Sequence, residues 1–169
     1  MTIINSEFLR ILMKPTVYLE TSIISYLTAW RSPRLITAAH QESTRNWWDV
    51  EREHFDLFVS EAVVQEASAG DPDAAKRRLE AIKRLPELKI TDEARELAKI
   101  LFIRGHMPEK SKVDVLHIAI ATVNGMDYIL TWNCRHIANA TFQRSMRMIC
   151  EDVNYSLPVI CTPLELLEE

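Results

Sequence analysis

Four side chains stand where chemistry could be done. Glu20 closes the β-branched and aromatic run Thr16-Val-Tyr-Leu-Glu20, and Glu66 lies on the helix that follows a second such run. Asp114 falls in the first turn of a strongly apolar helix, and Asn133 follows the strand Asp127-Tyr-Ile-Leu-Thr131. Carboxylates gathered at one edge of a sheet repel one another and raise each other's pKa unless a cation sits among them. Hard divalent ions such as Mg²⁺ and Mn²⁺ prefer oxygen ligands and keep several waters, so a few carboxylates plus a substrate phosphate complete their shell. An ion held in this way activates water and steadies the charge that builds on a phosphodiester during in-line attack. Metal-assisted phosphodiester hydrolysis is the chemistry these residue types fit.

The elements that must bring them together alternate between strand and helix. Strands are expected at Thr16–Glu20, Phe55–Val59, Leu88–Ile90, Asp127–Thr131 and Pro158–Cys161. Between them lie helices with start signals: Thr21 or Ser22 before Ile23, Ser60, Asp71-Pro72, Thr91, Ser111 and Asn133. Gly70, Gly105 and Gly125 mark helix ends, and Thr162-Pro-Leu-Glu165 reads as a capping box opening a short last helix. A long helix after Pro33 should bury Ile36, His40, Ser43, Trp47 and Val50 on one face. The helix Val113 to Asn124 is apolar nearly all round and should be deeply buried. Strands separated by helices imply crossovers, and hence a parallel sheet covered on both faces: an α/β, three-layer α/β/α sandwich. Ligands in such sheets bind beyond the carboxyl ends of the strands, where the strand order reverses.

Composition bounds the rest. A chain of 169 residues, 47% hydrophobic and 26% charged, is an ordinary globular domain. No apolar run approaches the roughly 18 residues of a membrane span. A net charge of −4 argues against a general nucleic-acid coat but leaves room for an enzyme with basic residues on one face. Only three glycines, far apart, exclude a glycine-rich phosphate loop, so any phosphate chemistry falls to side chains and metal. Three cysteines without a C-x-x-C pair indicate a reduced, cytoplasmic chain. Residues 1–13 read as an N-terminal extension, with Met13-Lys14-Pro15 as an older start, and 14–169 as a single domain. Glu7 and Arg10 interrupt the apolar stretch of that extension, which makes it a poor signal peptide.

Each candidate also has a plainer reading. Glu66 fits a solvated helix, Asp114 completes a capping box with Ser111, and Asn133 serves as an N-cap. Glu20 is hardest to explain away, because an acid at the end of a buried strand is disfavoured without a role. Coincidence of all four at one edge carries the argument. His117, on the buried helix, reads as a satisfied core histidine, and Cys134-x-His136 lacks the third group a thiol nucleophile needs. Lys76-Arg-Arg-Leu-Glu-Ala-Ile-Lys-Arg84 carries about +4 and could neutralise phosphate, although a solvated helix face accounts for it more simply. Arg31, Arg34, Lys110, Lys112 and Arg135 lie nearer the acidic edge and are better placed for substrate phosphate. Of Trp47-Trp48, one should fill the core and the other an interface.

Four segments together resemble the PIN domain, in particular the VapC-type toxins of bacterial toxin–antitoxin pairs. They are Val17-Tyr-Leu-Glu-Thr-Ser-Ile-Ile-Ser-Tyr-Leu27, Val59-Ser-Glu-Ala-Val-Val-Gln-Glu66, Val113-Asp-Val-Leu-His-Ile-Ala-Ile-Ala121 and Ile129-Leu-Thr-Trp-Asn-Cys-Arg-His-Ile137. The resemblance implies a PIN-type sandwich and an endoribonuclease that uses Mg²⁺ or Mn²⁺. Glu20, Glu66 and Asp114 would be the metal ligands, and Asn133 the fourth member of the catalytic set. Thr21 or Ser22 would hold the first carboxylate or a water, and joins Arg31, Lys112 and Arg135 as a candidate substrate-binding group. An antitoxin that covers the acidic crevice and a homodimer are the implied protein partners. The family usually has Asp where Glu20 and Asn133 stand. One fewer charge should weaken a second ion more than the first, so one well-held ion is expected, with His136 and Asp127 as possible substitutes. The same departures define a second expectation: a PIN-fold module that binds RNA or a protein partner without cutting.

Overall fold

The computed structural model describes residues 13–167. The expected extension, apart from Met13, lies outside them. Among the described residues five strands form: β1 (Thr16–Leu19), β2 (Asp56–Ser60), β3 (Glu87–Leu88), β4 (Tyr128–Leu130) and β5 (Val159–Cys161). Seven α-helices connect and cover them: α1 (Thr21–Thr28), α2 (Leu35–Val50), α3 (Glu61–Ala67), α4 (Pro72–Ile82), α5 (Asp92–Arg104), α6 (Lys112–Val123) and α7 (Ala140–Asp152).

All pairings are parallel, in the order β3-β2-β1-β4-β5. The first strand is therefore central, with Val17 opposite both Leu57 and Tyr128. Val17, Tyr18 and Leu19 have no solvent exposure, as a strand covered on both faces requires. The helices pack in two groups, α1 to α4 and α5 to α7, with α3 also reaching α6. The molecule is the α/β/α sandwich expected. Because the chain fills one side of β1 and then crosses to the other, the strand order reverses between β1 and β4. The carboxyl-end crevice lies there.

Local signals explain most boundaries. Ser60, Asp71 and Thr91 cap α3, α4 and α5 through their side chains, and Gly105 ends α5. Gly125, at φ +63°, follows α6 in the left-handed region that closes helices at little cost to glycine.

Several expectations are corrected. Thr21 and Ser22 do not cap α1; they lie inside it, and its N-cap is Glu20, without a side-chain cap bond. Asn133 does not open a helix: its Oδ1 accepts the His136 N–H across a turn, and α7 starts at Ala140, capped by Asn139. Ser111 makes no cap bond, so it forms no capping box with Asp114. Thr162 and Glu165 do bond to each other, but only a turn follows. The α2 face is rotated from the expected one: Gln41, Thr44 and Trp47 are buried, while Ile36 and Val50 are exposed.

Candidate metal centre

Glu20 leaves β1 with extended backbone (φ −79°, ψ 156°), and its N–H donates to the Leu130 carbonyl at 3.1 Å. It thus prolongs the β1–β4 ladder by one residue and sets its carboxylate at the reversal point. The residue is only 6% exposed, and a carboxylate taken so far from water needs hydrogen-bond donors. Ser22 Oγ and Thr131 Oγ1 supply them to Oε2, the latter at 2.7 Å. Thr131 Oγ1 in turn accepts the Asn133 N–H at 2.9 Å.

Glu66 reaches the same place from the last turn of α3. Its Oε2 accepts from Thr21 Oγ1 and pairs with His117 Nε2 at 2.9 Å. Half-burial would by itself raise the Glu66 pKa, but the hydrogen bonds from His117 and Thr21 outweigh it and hold the carboxyl below its usual range. Tyr18, beneath it, is pushed far the other way by burial, with the charges of Glu20 and Glu66 adding to the rise and the Ser60 hydrogen bond opposing it.

Glu20, Glu66 and His117 each offer a donor atom within 4.8 Å of the others. In both glutamates Oε2 carries the anchoring bonds, and Oε1 has none among the described residues. Two anchored carboxylates, each with an oxygen to give, suit a hard divalent cation.

Asp114 stands apart from that set. Its Oδ1 accepts Asn133 Nδ2 at 2.7 Å, and its Oδ2 pairs with His136 Nδ1 at 2.9 Å. Both oxygens are engaged, so the structure joins Asp114 to the centre through Asn133 and Thr131 and not through shared ligand atoms. Asp127 is far from the centre: it precedes β4, at the amino ends of the strands, and its Oδ2 accepts both the N–H and the hydroxyl of Thr16.

The basic candidates are at the surface. Arg31 is exposed in the α1–α2 loop, Arg135 in the turn after Asn133, and Lys112 beside Asp114, where it pairs with Glu109 and lies over the Phe102 ring. Two bases of the Lys76–Arg84 stripe make structural contacts. Arg77 donates to the Thr28 carbonyl and stacks on Trp30, and Arg78 closes the end of α3 on the Ala67 and Ala69 carbonyls. Trp47 fills the core, and Trp48 is half-buried beneath the Arg52 guanidinium. Sequence reasoning missed the part His117 takes. The available signal was its spacing, one turn beyond Asp114 on the same helix.

A five-stranded parallel sheet in this order, sandwiched by helices, with acids gathered where the order reverses, is a PIN-like α/β/α fold. Solved structures share that fold. FitAB bound to an IR36 DNA fragment superposes with a TM-score of 0.59 at 15% identity, covering 90% of this chain and 99% of the other. VapBC2 from Rickettsia felis, bound to a DNA fragment from its promoter, gives 0.57 at 14% identity, covering 87% of this chain and 98% of its own. Mycobacterium tuberculosis VapC20, a sarcin-ricin loop cleaving toxin, gives 0.56 at 17% identity, covering 73% and 95%. No family model and no curated protein matches the sequence. At such identities the likeness establishes the fold. No helix among the described residues is long and apolar enough to cross a membrane.

Proposed function

We propose that the protein is a divalent-cation-dependent endoribonuclease of VapC type. Glu20 and Glu66 are the principal ligands of one Mg²⁺ or Mn²⁺, and Asp114 completes the acidic set from α6. The observation that carries this reading is the convergence of two hydroxyl-anchored glutamates from β1 and α3 at the reversal point, each with an unengaged oxygen. When bound, the ion would supply an activated water and neutralise charge on the phosphodiester. The chain's own part is positioning. Ser22 and Thr131 hold Glu20, Thr21 holds Glu66, Asn133 orients Asp114, and Arg31, Lys112 and Arg135 take up substrate phosphates. The sarcin-ricin loop cleavage named for VapC20 supports RNA as the substrate class. An antitoxin over the crevice and a homodimer complete the proposal, checked by co-purification with the neighbouring gene product and by sedimentation.

One observation favours a second reading, a module that binds RNA or protein without cutting. Both Asp114 oxygens are taken by Asn133 and His136, which leaves that acid less available than the family pattern needs. Calorimetric titration with Mn²⁺, followed by cleavage of labelled RNA with and without EDTA, separates the two. The nuclease reading expects binding, EDTA-sensitive cleavage, and loss of cleavage in Asp114→Asn with its unfolding transition unchanged. Cutting that survives in that variant would overturn the site assignment. RNA retention without cleavage would establish the second reading.

A further inference from the structure

We propose that His117 is a positioning residue for Glu66, driven by a buried hydrogen-bond chain that runs Ser60–Tyr18–His117 and ends on the carboxylate. The inference rests on the cation reading above and specifies what holds one of its ligands.

Accounting for donors and acceptors fixes the direction of the chain. Ser60 Oγ accepts the Val63 N–H at 3.3 Å as the cap of α3, which leaves its own proton to donate to Tyr18 Oη at 2.7 Å. Tyr18 Oη, kept as a neutral phenol by burial, then donates to His117 Nδ1 at 2.6 Å. The proton of a neutral imidazole is thereby placed on Nε2, which donates to Glu66 Oε2 at 2.9 Å. The opposite tautomer would set a bare nitrogen lone pair against a carboxylate oxygen at that distance, an arrangement favourable only with a cation between them.

Every member but the last is sealed from water: Tyr18 and Ser60 have no exposure and His117 has 1%. A histidine that merely filled core space would gain nothing from two aligned nitrogens, and burying them would cost free energy unless both were bonded. The chain also crosses the fold. Tyr18 comes from β1, Ser60 from the end of β2, His117 from α6 and Glu66 from α3, so the orientation of one carboxylate is fixed by the central strand and two helices. With Oε2 held by His117 and Thr21, Oε1 is the oxygen left for the ion. Partners of this kind, one bond behind a ligand, typically govern about 10- to 100-fold of metal affinity.

The test uses the full chain and two measurements. In the metal-free protein, ¹⁵N NMR of the His117 ring is expected to show a protonated Nε2 and an unprotonated Nδ1. By calorimetry, His117→Ala is expected to weaken Mn²⁺ binding about 10- to 100-fold. His117→Gln, whose amide can donate to the same oxygen, should recover most of that loss, and Tyr18→Phe should show a smaller one. A ring protonated on Nδ1, with His117→Gln as impaired as His117→Ala, would overturn the proposal by making His117 a nitrogen ligand itself. Unchanged affinity in His117→Ala would overturn it by making the residue a core filler. Failure of the wild-type chain to bind Mn²⁺ would sink the cation reading, and the tautomer would still decide the chain's direction.

Discussion

Thr131 shows how much of the centre depends on single atoms. Its hydroxyl donates to a carboxylate that is only 6% exposed and accepts the N–H of Asn133. Thr131→Val keeps the shape and removes both bonds, so stability should fall by about 1–3 kcal/mol, the usual cost of orphaning buried polar groups, read from the midpoint of denaturant unfolding. The cysteines give a second residue-scale prediction. Burial pushes the Cys150 thiol up to about 11 and the Cys161 thiol up to about 12, with Glu151 and Glu165 adding to the rise, whereas Cys134 is exposed. In the unfolded chain thiols ionise near ~8.5. The stability these two contribute is therefore intact below that pH and is lost as pH rises toward their folded values. A colorimetric thiol reagent at pH 8 should titrate Cys134 alone in the native protein and all three cysteines in denaturant.

At the scale of elements, the two ends of the sheet do different work. The carboxyl end of β1 leads into Glu20, which Thr131 after β4 hydrogen-bonds, while the amino ends of both strands are clamped by Asp127, which accepts two bonds from Thr16 at 2.8 and 2.9 Å. Asp127→Ala should cost about 1.5–3 kcal/mol per hydrogen bond to a charged group at most, seen in thermal unfolding, and should leave Mn²⁺ affinity unchanged. A drop in affinity would mean that strand register at the far end reaches the crevice. The all-round apolar character of α6 and the caps of α3, α4 and α5 were legible because each depends on residues within a turn or two. The α2 face was not. Gln41 turns inward to bond the Trp30 carbonyl and the Ser32 N–H, and Thr44 to accept the Trp132 indole N–H, which leaves Ile36 outside.

For the whole molecule, the proposed cation between β1 and α3 would join elements that are separate in the chain and so should stabilise the native state by mass action. At about 100 times its dissociation constant an ion bound only by the folded form adds about 2.7 kcal/mol. For a chain of this size that is a rise of roughly 2–4 °C in Tm per kcal/mol. The rise should appear with Mn²⁺, vanish with EDTA and be absent in Glu66→Gln; an equal rise in that variant would place the ion elsewhere.

The sequence by itself determined the alternation of strands and helices, the sandwich they build, and the four positions worth watching. Period, caps and strand-end acids are all written within short stretches of chain. Tertiary structure alone decided how those positions are wired. Thr21 and Ser22, which a local reading assigns to helix capping, give their hydroxyls to Glu66 and Glu20. Asp114, expected among the ligands, also bonds Asn133 and His136, and His117 stands behind Glu66. The physical reason is that a polar side chain bonds the strongest acceptor within reach, and a buried carboxylate outcompetes a solvated helix end. Which carboxylate is within reach is fixed only when residues 51 positions apart, as Glu66 and His117 are, have been folded against each other.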